Sequence, residues 1–266
     1  MNLHFDAGQD IRSIILVGLG GTGSQWARSI CRMVYDMRAR NLQTPNITFV
    51  DPDVVEAKNV GRQMFTVADI GKYKAEVLAR RFNAALGLHI VWHNEPFLWE
   101  SEYGSGGQLI CGAVDNHEAR KAIVKANALW IDAGNHFDSG QVIIGNSYRR
   151  GDLALALKTP RFKELEKLSN HGLTTRLPAA SLVFPQLLEP EPPGVPVQSC
   201  ADLVQFGEQH ILINDWLANV AATYTYKLLY RQPIESHMTY IDAAGMNVSS
   251  KPITREVLQS YCEEAA

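Results

Sequence analysis

Residues 13–24 read SIILVGLGGTGS, a short apolar run that breaks into glycines at positions 18, 20, 21 and 23. An unbroken apolar run of this length suits a strand buried on both faces. Beyond it, Trp26, Ile30, Met33, Val34 and Met37 recur at three- and four-residue spacing, which predicts an amphipathic helix. A buried strand turning into a helix through glycines commits the chain to an α/β arrangement. Such a helix start also offers unpaired N–H groups and the positive end of a dipole. Gly18, Gly20, Gly21 and Gly23 therefore form a candidate phosphate cradle. Loops of this form serve NAD, FAD, SAM and ATP alike, so the chemistry has to be read elsewhere in the chain.

The alternation continues downstream. Ile47–Val50, Leu88–Trp92, Gln108–Val114 and Leu129–Asp132 read as further strands, with helices over Lys72–Leu86 and Asn116–Ala126. This order predicts a doubly wound, mostly parallel Rossmann-like sheet. The pattern changes at Arg149. Residues 149–198 hold seven of the twelve prolines, which reads as a long crossover, helical over Pro160–Leu168 and extended elsewhere. A helix follows over Asp202–Tyr230, then a terminal strand pair around Ala243-Ala244-Gly245. The expected division is a nucleotide-binding core at 1–148, a crossover at 149–200, and a C-terminal part at 201–266 that completes the same domain.

Composition narrows the class. With 25 Lys and Arg against 28 Asp and Glu, no basic excess points to nucleic acid. No apolar run has the length of a membrane span, and residues 1–18 lack the basic start and cleavage site of a secretory leader. Four cysteines, far apart and without CxxC pairs, suit reduced thiols in the cytoplasm rather than disulfides or structural zinc.

The segment after the second predicted strand carries the specific signal. Asp51 and Asp53 stand at its end, followed by Asn59-Val60-Gly61-Arg62-Gln63, Asp69-Ile70-Gly71 and Lys74. The fourth strand runs into Val114-Asp115-Asn116-His117-Glu118-Ala119-Arg120. This ordered set resembles the ThiF/MoeB and ubiquitin-activating superfamily, with its acidic pair, Asn-x-x-Arg-Gln, Asp-x-Gly turn, following Lys and Asp-Asn-x-x-x-Arg. The stretch from Ser199-Cys200 through Tyr230 resembles that family's helix after its Ser-Cys motif. As a whole the chain looks most like ThiF proteins of ParB-related, ThiF-related cassettes (PRTRC).

The resemblance implies an ATP- and Mg²⁺-dependent adenylyltransferase. Its partner would be a ubiquitin-like or sulfur-carrier protein ending in glycine, and it would act as a homodimer. It places Arg62 and Lys74 on the phosphates, Asp115 on Mg²⁺, Asp51 on the ribose, and Asp53, Asn59, Gln63 and Asn116 around the nucleotide. Read alone, Asp115 and Asn116 also suit a turn and helix cap, and Arg62 and Lys74 a solvated surface. The family's N-terminal arginine motif, donated across the dimer, has only Arg12 as a counterpart here. The apolar face from Ile213 to Leu228 is a candidate dimer surface.

Cys200 is the candidate acceptor thiol. Ser199 and Asp202 form a capping pattern that places it in a first helical turn, where N–H groups and the dipole favour the thiolate. Cys31 and Cys111 fall in core elements and Cys262 in the tail. His89 and His93 are expected on one strand face, without a third ligand nearby. Two other functions fit parts of the pattern. The glycine loop with Asp51 suits an NAD-dependent oxidoreductase, although that leaves Asn59, Arg62 and Lys74 without a task. A ThiF-like binding module without catalysis would explain the missing arginine motif.

Overall fold

The computed structural model describes residues 2–98, 106–158, 172–190 and 212–263. The chain opens with a short strand, β1 (Leu3–Phe5), and then β2 (Ser13–Val17), which is buried almost throughout. The glycine loop leads into α1 (Gly21–Ala39), whose Trp26, Ile30, Val34 and Met37 are buried. There follow β3 (Asn46–Val50), α2 (Lys74–Leu86), β4 (Val91–His93), β5 (Gln108–Gly112), α3 (His117–Ala126) and β6 (Leu129–Asn135).

Four strands and four helices complete the described part of the fold. They are β7 (Ser139–Gly145), α4 (Arg150–Lys158), β8 (Gly172–Thr174) and a single turn, α5 (Ala180–Val183). The long α6 (Ile213–Leu229), the hairpin β9 (Ser236–Asp242) and β10 (Asn247–Pro252), and α7 (Arg255–Ser260) close the chain.

Eight strands form one sheet in the order β10-β9-β7-β6-β5-β2-β3-β4, while β1 and β8 pair separately. The run from β4 to β6 is parallel, and β7, β9 and β10 extend it antiparallel. The chain winds outward from β2 through β3 to β4, then returns to place β5 on the other side of β2. That reversal opens a crevice at the carboxyl ends of the strands, the usual ligand position in such sheets.

Side chains of one sheet face, including Ile14, Leu16 and Ile131, pack with α1, α2 and α6. Those of the other face, including Ile15, Val17 and Ile110, pack with α3 and the residues around α5. Within the first layer the Trp26 indole N–H donates to Thr225 Oγ1 at 3.1 Å, tying α1 to α6. The apolar face of α6, with Ile213, Leu217, Ala221 and Leu229, is thus covered within the chain rather than held open for a partner. Amphipathic spacing identifies an apolar face but not what covers it.

Some elements depart from the expectation. Strand β7 and helix α4 occupy a region that spacing placed partly in a crossover. β4 begins at Val91, so His89 precedes it and does not share its face with His93. Asn83 is the cause, because its side chain accepts the Ile90 N–H at 2.7 Å and donates to Ile90 O at 3.1 Å, taking that backbone out of the ladder. Cys262 packs partly against the core and donates to Leu258 O, instead of lying in a frayed tail. Pro160–Leu168, Ser199, Cys200 and Asp202 lie outside the described residues.

Candidate active site

The carboxyl ends of β2, β3, β5 and β6 surround a cavity of about 630 Å³, within the size range of small-molecule sites. Its floor is the glycine loop. Gly18 has φ +84, and a side chain there would meet Ala113 O at 2.4 Å, so only glycine turns the strand at this point. Gly23 lets α1 lie against the strand end, since an added Cβ would come within 1.9 Å of Gly18 O. Gly20 is different: nothing lies within 4 Å of where its Cβ would be, and the loop faces open cavity there. A phosphate-sized anion can approach that backbone at the start of a 19-residue helix.

Acidic and basic groups meet on the β3 side. Asp51 is 4% exposed and accepts the Leu19 N–H at 2.5 Å through one oxygen and the Asp53 N–H at 2.8 Å through the other. Burial pushes its pKa up to about 6, opposed by Lys74 nearby and by these backbone hydrogen bonds. Lys74 is 6% exposed, stands at the first position of α2, and donates from Nζ to Asp53 Oδ2 at 2.8 Å. A lysine this enclosed requires a charge partner, and Asp53 supplies one while remaining mostly exposed itself.

The loop from Asp53 to Lys74 is held by paired turns. Asn59 is buried and its side-chain oxygen accepts the Glu56 N–H at 2.8 Å. Asp69 accepts from Thr66 and from Arg81 at 2.6 Å, which fastens the Asp-x-Gly turn to α2. Asn59 and Gln63 line the cavity. Arg62 is half-buried beside it and is not among the lining residues.

Across the loop, Asp115 and Asn116 stand exposed between β5 and α3 and line the opposite wall. Asn116 caps α3 by accepting the Ala119 N–H at 2.8 Å, so the capping reading holds while the residue also borders the cavity. Arg120, the last member of that motif, turns inward to Asp132 on β6, with Nε 3.3 Å from Oδ1. This buried pair fixes α3, and with it Asp115, against the sheet.

All the expected lining glycines except Gly23 reach the cavity, together with Asp51, Asp53, Asn59, Gln63, Lys74, Asp115 and Asn116. Sequence reasoning missed Thr22, Phe97, Lys121, Lys125, Asn135 and Asn214 on the same wall. Lys121 and Lys125 follow from Glu118 at helical spacing and were legible as one face of α3. Asn135 enters at the carboxyl end of β6, and Asn214 carries no local signal because it reaches the site only through the packing of α6.

A doubly wound sheet with a glycine loop, a buried lysine and carboxylates around its switch point defines an α/β protein of the Rossmann-like class. More specifically, the ThiF family model matches residues 8–262, and the chain belongs to that family. It is 32% identical to the NEDD8-activating enzyme E1 catalytic subunit of Arabidopsis thaliana over 118 residues, covering 43% of this chain and 24% of that protein. It is 30% identical to ubiquitin-like modifier-activating enzyme 5 of the same plant over 136 residues, covering 46% and 32%. The chain therefore spans a third or less of these relatives. Among solved structures it is similar to E. coli MccB with ATP, at TM-score 0.53 and 14% identity, covering 92% of this chain and 64% of that one. E. coli MccB with AMPCPP and MccA gives TM-score 0.54 at 15% identity, with 92% and 64% covered. At these identities the likeness concerns the fold.

Proposed function

We propose that this chain is an ATP-dependent adenylyltransferase that activates the C-terminal glycine of a ubiquitin-like or sulfur-carrier protein. The observation that carries this is the convergence of the open loop at Gly20, buried Asp51 and Lys74, and Asp115 on one cavity. Its relatives and solved neighbours include modifier-activating enzymes and MccB structures with ATP and with a peptide partner, which supports the same reaction class.

The reaction brings a carboxylate to the α-phosphate of ATP and expels pyrophosphate, so the site must offset charge repulsion and align two anions. The loop amides from Gly18 to Gly21 and the start of α1 hold phosphate. Asp51, when ionised, accepts from the ribose hydroxyls, with Asn59, Gln63 and Asn116 shaping the remaining walls. Lys74 supplies a fixed positive charge on the wall, and Arg62, beside the cavity, is a second cation with a forked donor set. Asp115 is an exposed single carboxylate, the kind of ligand that shares Mg²⁺ with phosphates. Mg²⁺, when bound, neutralises charge on the phosphate oxygens. Cys200 is the candidate acceptor for onward transfer as a thioester. The sparse cysteines fit a reducing compartment, so we assign the reaction to the cytoplasm.

The deciding test is ATP–pyrophosphate exchange by the full chain with a partner ending in glycine. Exchange is expected in the wild type and absent in Asp115→Ala at unchanged melting temperature. ATP with Mg²⁺ should raise that temperature and NAD should not. Full exchange by Asp115→Ala removes Asp115 from the mechanism. The homodimer is read by light scattering at micromolar concentration, where a monomeric mass contradicts it.

A further inference from the structure

Asn214, in the first turn of α6, is only 7% exposed yet lines the cavity. Its side-chain oxygen accepts from Thr22 Oγ1 at 2.9 Å and from Asn135 Nδ2 at 2.9 Å. Those two donors fix which way the amide points. Its nitrogen lies over Gly21, where an added Cβ would come within 2.6 Å, and among the described residues nothing accepts from it. An amide donor that opens into a cavity, on a side chain otherwise enclosed and held in one orientation, is placed to meet an acceptor on a ligand.

Sheet order says which ligand. Asp51 follows β3, the glycine loop follows β2, Asp115 follows β5, and Asn135 ends β6. A nucleotide with its ribose at Asp51 brings its phosphates to the loop between β3 and β5. The side of the cavity away from Asp51, where the loop at Gly21 meets β6 and α6, is left for the second reactant. There the wall offers the neutral Asn214 amide, held in place by Asn135.

We infer that the Asn214 side-chain amide donates to the C-terminal carboxylate of the acceptor polypeptide and orients it toward the α-phosphate. This rests on the adenylation reading above. A neutral donor holds a carboxylate without the strong pairing a lysine or arginine would impose, and so leaves its oxygen nucleophilic. In the step itself a carboxylate oxygen forms a bond to the α-phosphorus. The bond from that phosphorus to the β-bridging oxygen breaks, and pyrophosphate leaves with the electron pair.

The test is titration of the full chain with a short synthetic peptide ending in Gly-Gly, as free acid and as C-terminal amide, beside a non-hydrolysable ATP analogue. The wild type should prefer the free acid, and Asn214→Asp should lose roughly 10–100-fold for it, a larger loss than it shows for the amide or for the ATP analogue. Asn214→Ser, a smaller change, is read in its place if the aspartate variant does not fold. Equal free-acid binding by wild type and variant overturns the inference, as does a wild type that binds acid and amide alike. If the ATP analogue fails to bind while an Asn214-dependent preference for the acid persists, the carboxylate contact of Asn214 stands, and the ATP reading falls together with the orientation toward an α-phosphate.

Discussion

The Asp51 carboxylate accepts the backbone N–H of Leu19 at 2.5 Å, tying the end of β3 to the middle of the glycine loop. The residue expected to hold a ribose is therefore also the clamp that shapes the candidate phosphate cradle. Removing its carboxylate changes both, which a contact-by-contact account of the nucleotide would miss.

Because burial raises Asp51 to about 6, the folded chain holds its proton more tightly than the unfolded one does. Its contribution to stability is then largest near pH 4 and falls as pH rises to about 6. Relative to Asp51→Asn, the ligand-free wild type should lose up to roughly 3 kcal/mol across that window. Urea unfolding of both proteins at the two ends measures it, and parallel curves refute it. Nucleotide affinity should move the other way, rising about tenfold from pH 5 to pH 7 as the carboxylate ionises.

Lys74→Met should lower pyrophosphate exchange by about 100-fold or more, the scale for losing one charge-stabilising group. Lys74 is enclosed while Asp53 is mostly exposed, so Asp53→Asn leaves the lysine only the nearby Asp51 charge and should cost about 1–3 kcal/mol. Exchange assays alongside thermal melts separate the two effects, and a Lys74→Met enzyme of full activity excludes the assigned role.

The loop glycines should divide by mechanism. Gly23→Ala forces a methyl against Gly18 O and should destabilise by about 1–3 kcal/mol or more. Gly20→Ala has free space and should melt like the wild type, yet lose the ATP-induced thermal shift because the methyl occupies the phosphate approach. Loss of stability in both variants, with ATP binding kept by Gly20→Ala, contradicts this division.

Arg120→Met leaves Asp132 fully buried without its cation. Breaking a pair of this kind costs about 3–5 kcal/mol, and denaturant midpoints report it directly. Substituting both members by apolar residues should recover much of the loss.

The cysteines should separate by reactivity. Burial pushes the Cys31 and Cys111 thiols well above the ordinary range, so neither should alkylate near neutral pH. Cys200 is expected to react with iodoacetamide faster than either. Cys200→Ala should keep pyrophosphate exchange and lose a reductant-sensitive conjugate with the partner. A conjugate that survives this substitution makes the thiol structural.

What the sequence by itself determined is local and periodic. The apolar run into Gly18, the helical spacing from Trp26 to Met37, and the motifs from Asp51 to Lys74 and from Asp115 to Arg120 are contiguous patterns. Strand, helix and loop propensities act over the same range, so these elements and most of the cavity wall could be read directly. Tertiary structure decided the rest. It turned Arg120 inward to Asp132, put Arg62 beside the cavity instead of on its wall, and covered α6 within the chain. It also joined Asn214 to Thr22 across 192 residues. Such contacts depend on which helix packs on which strand and in what order the strands lie, and no periodicity within a single segment encodes that choice.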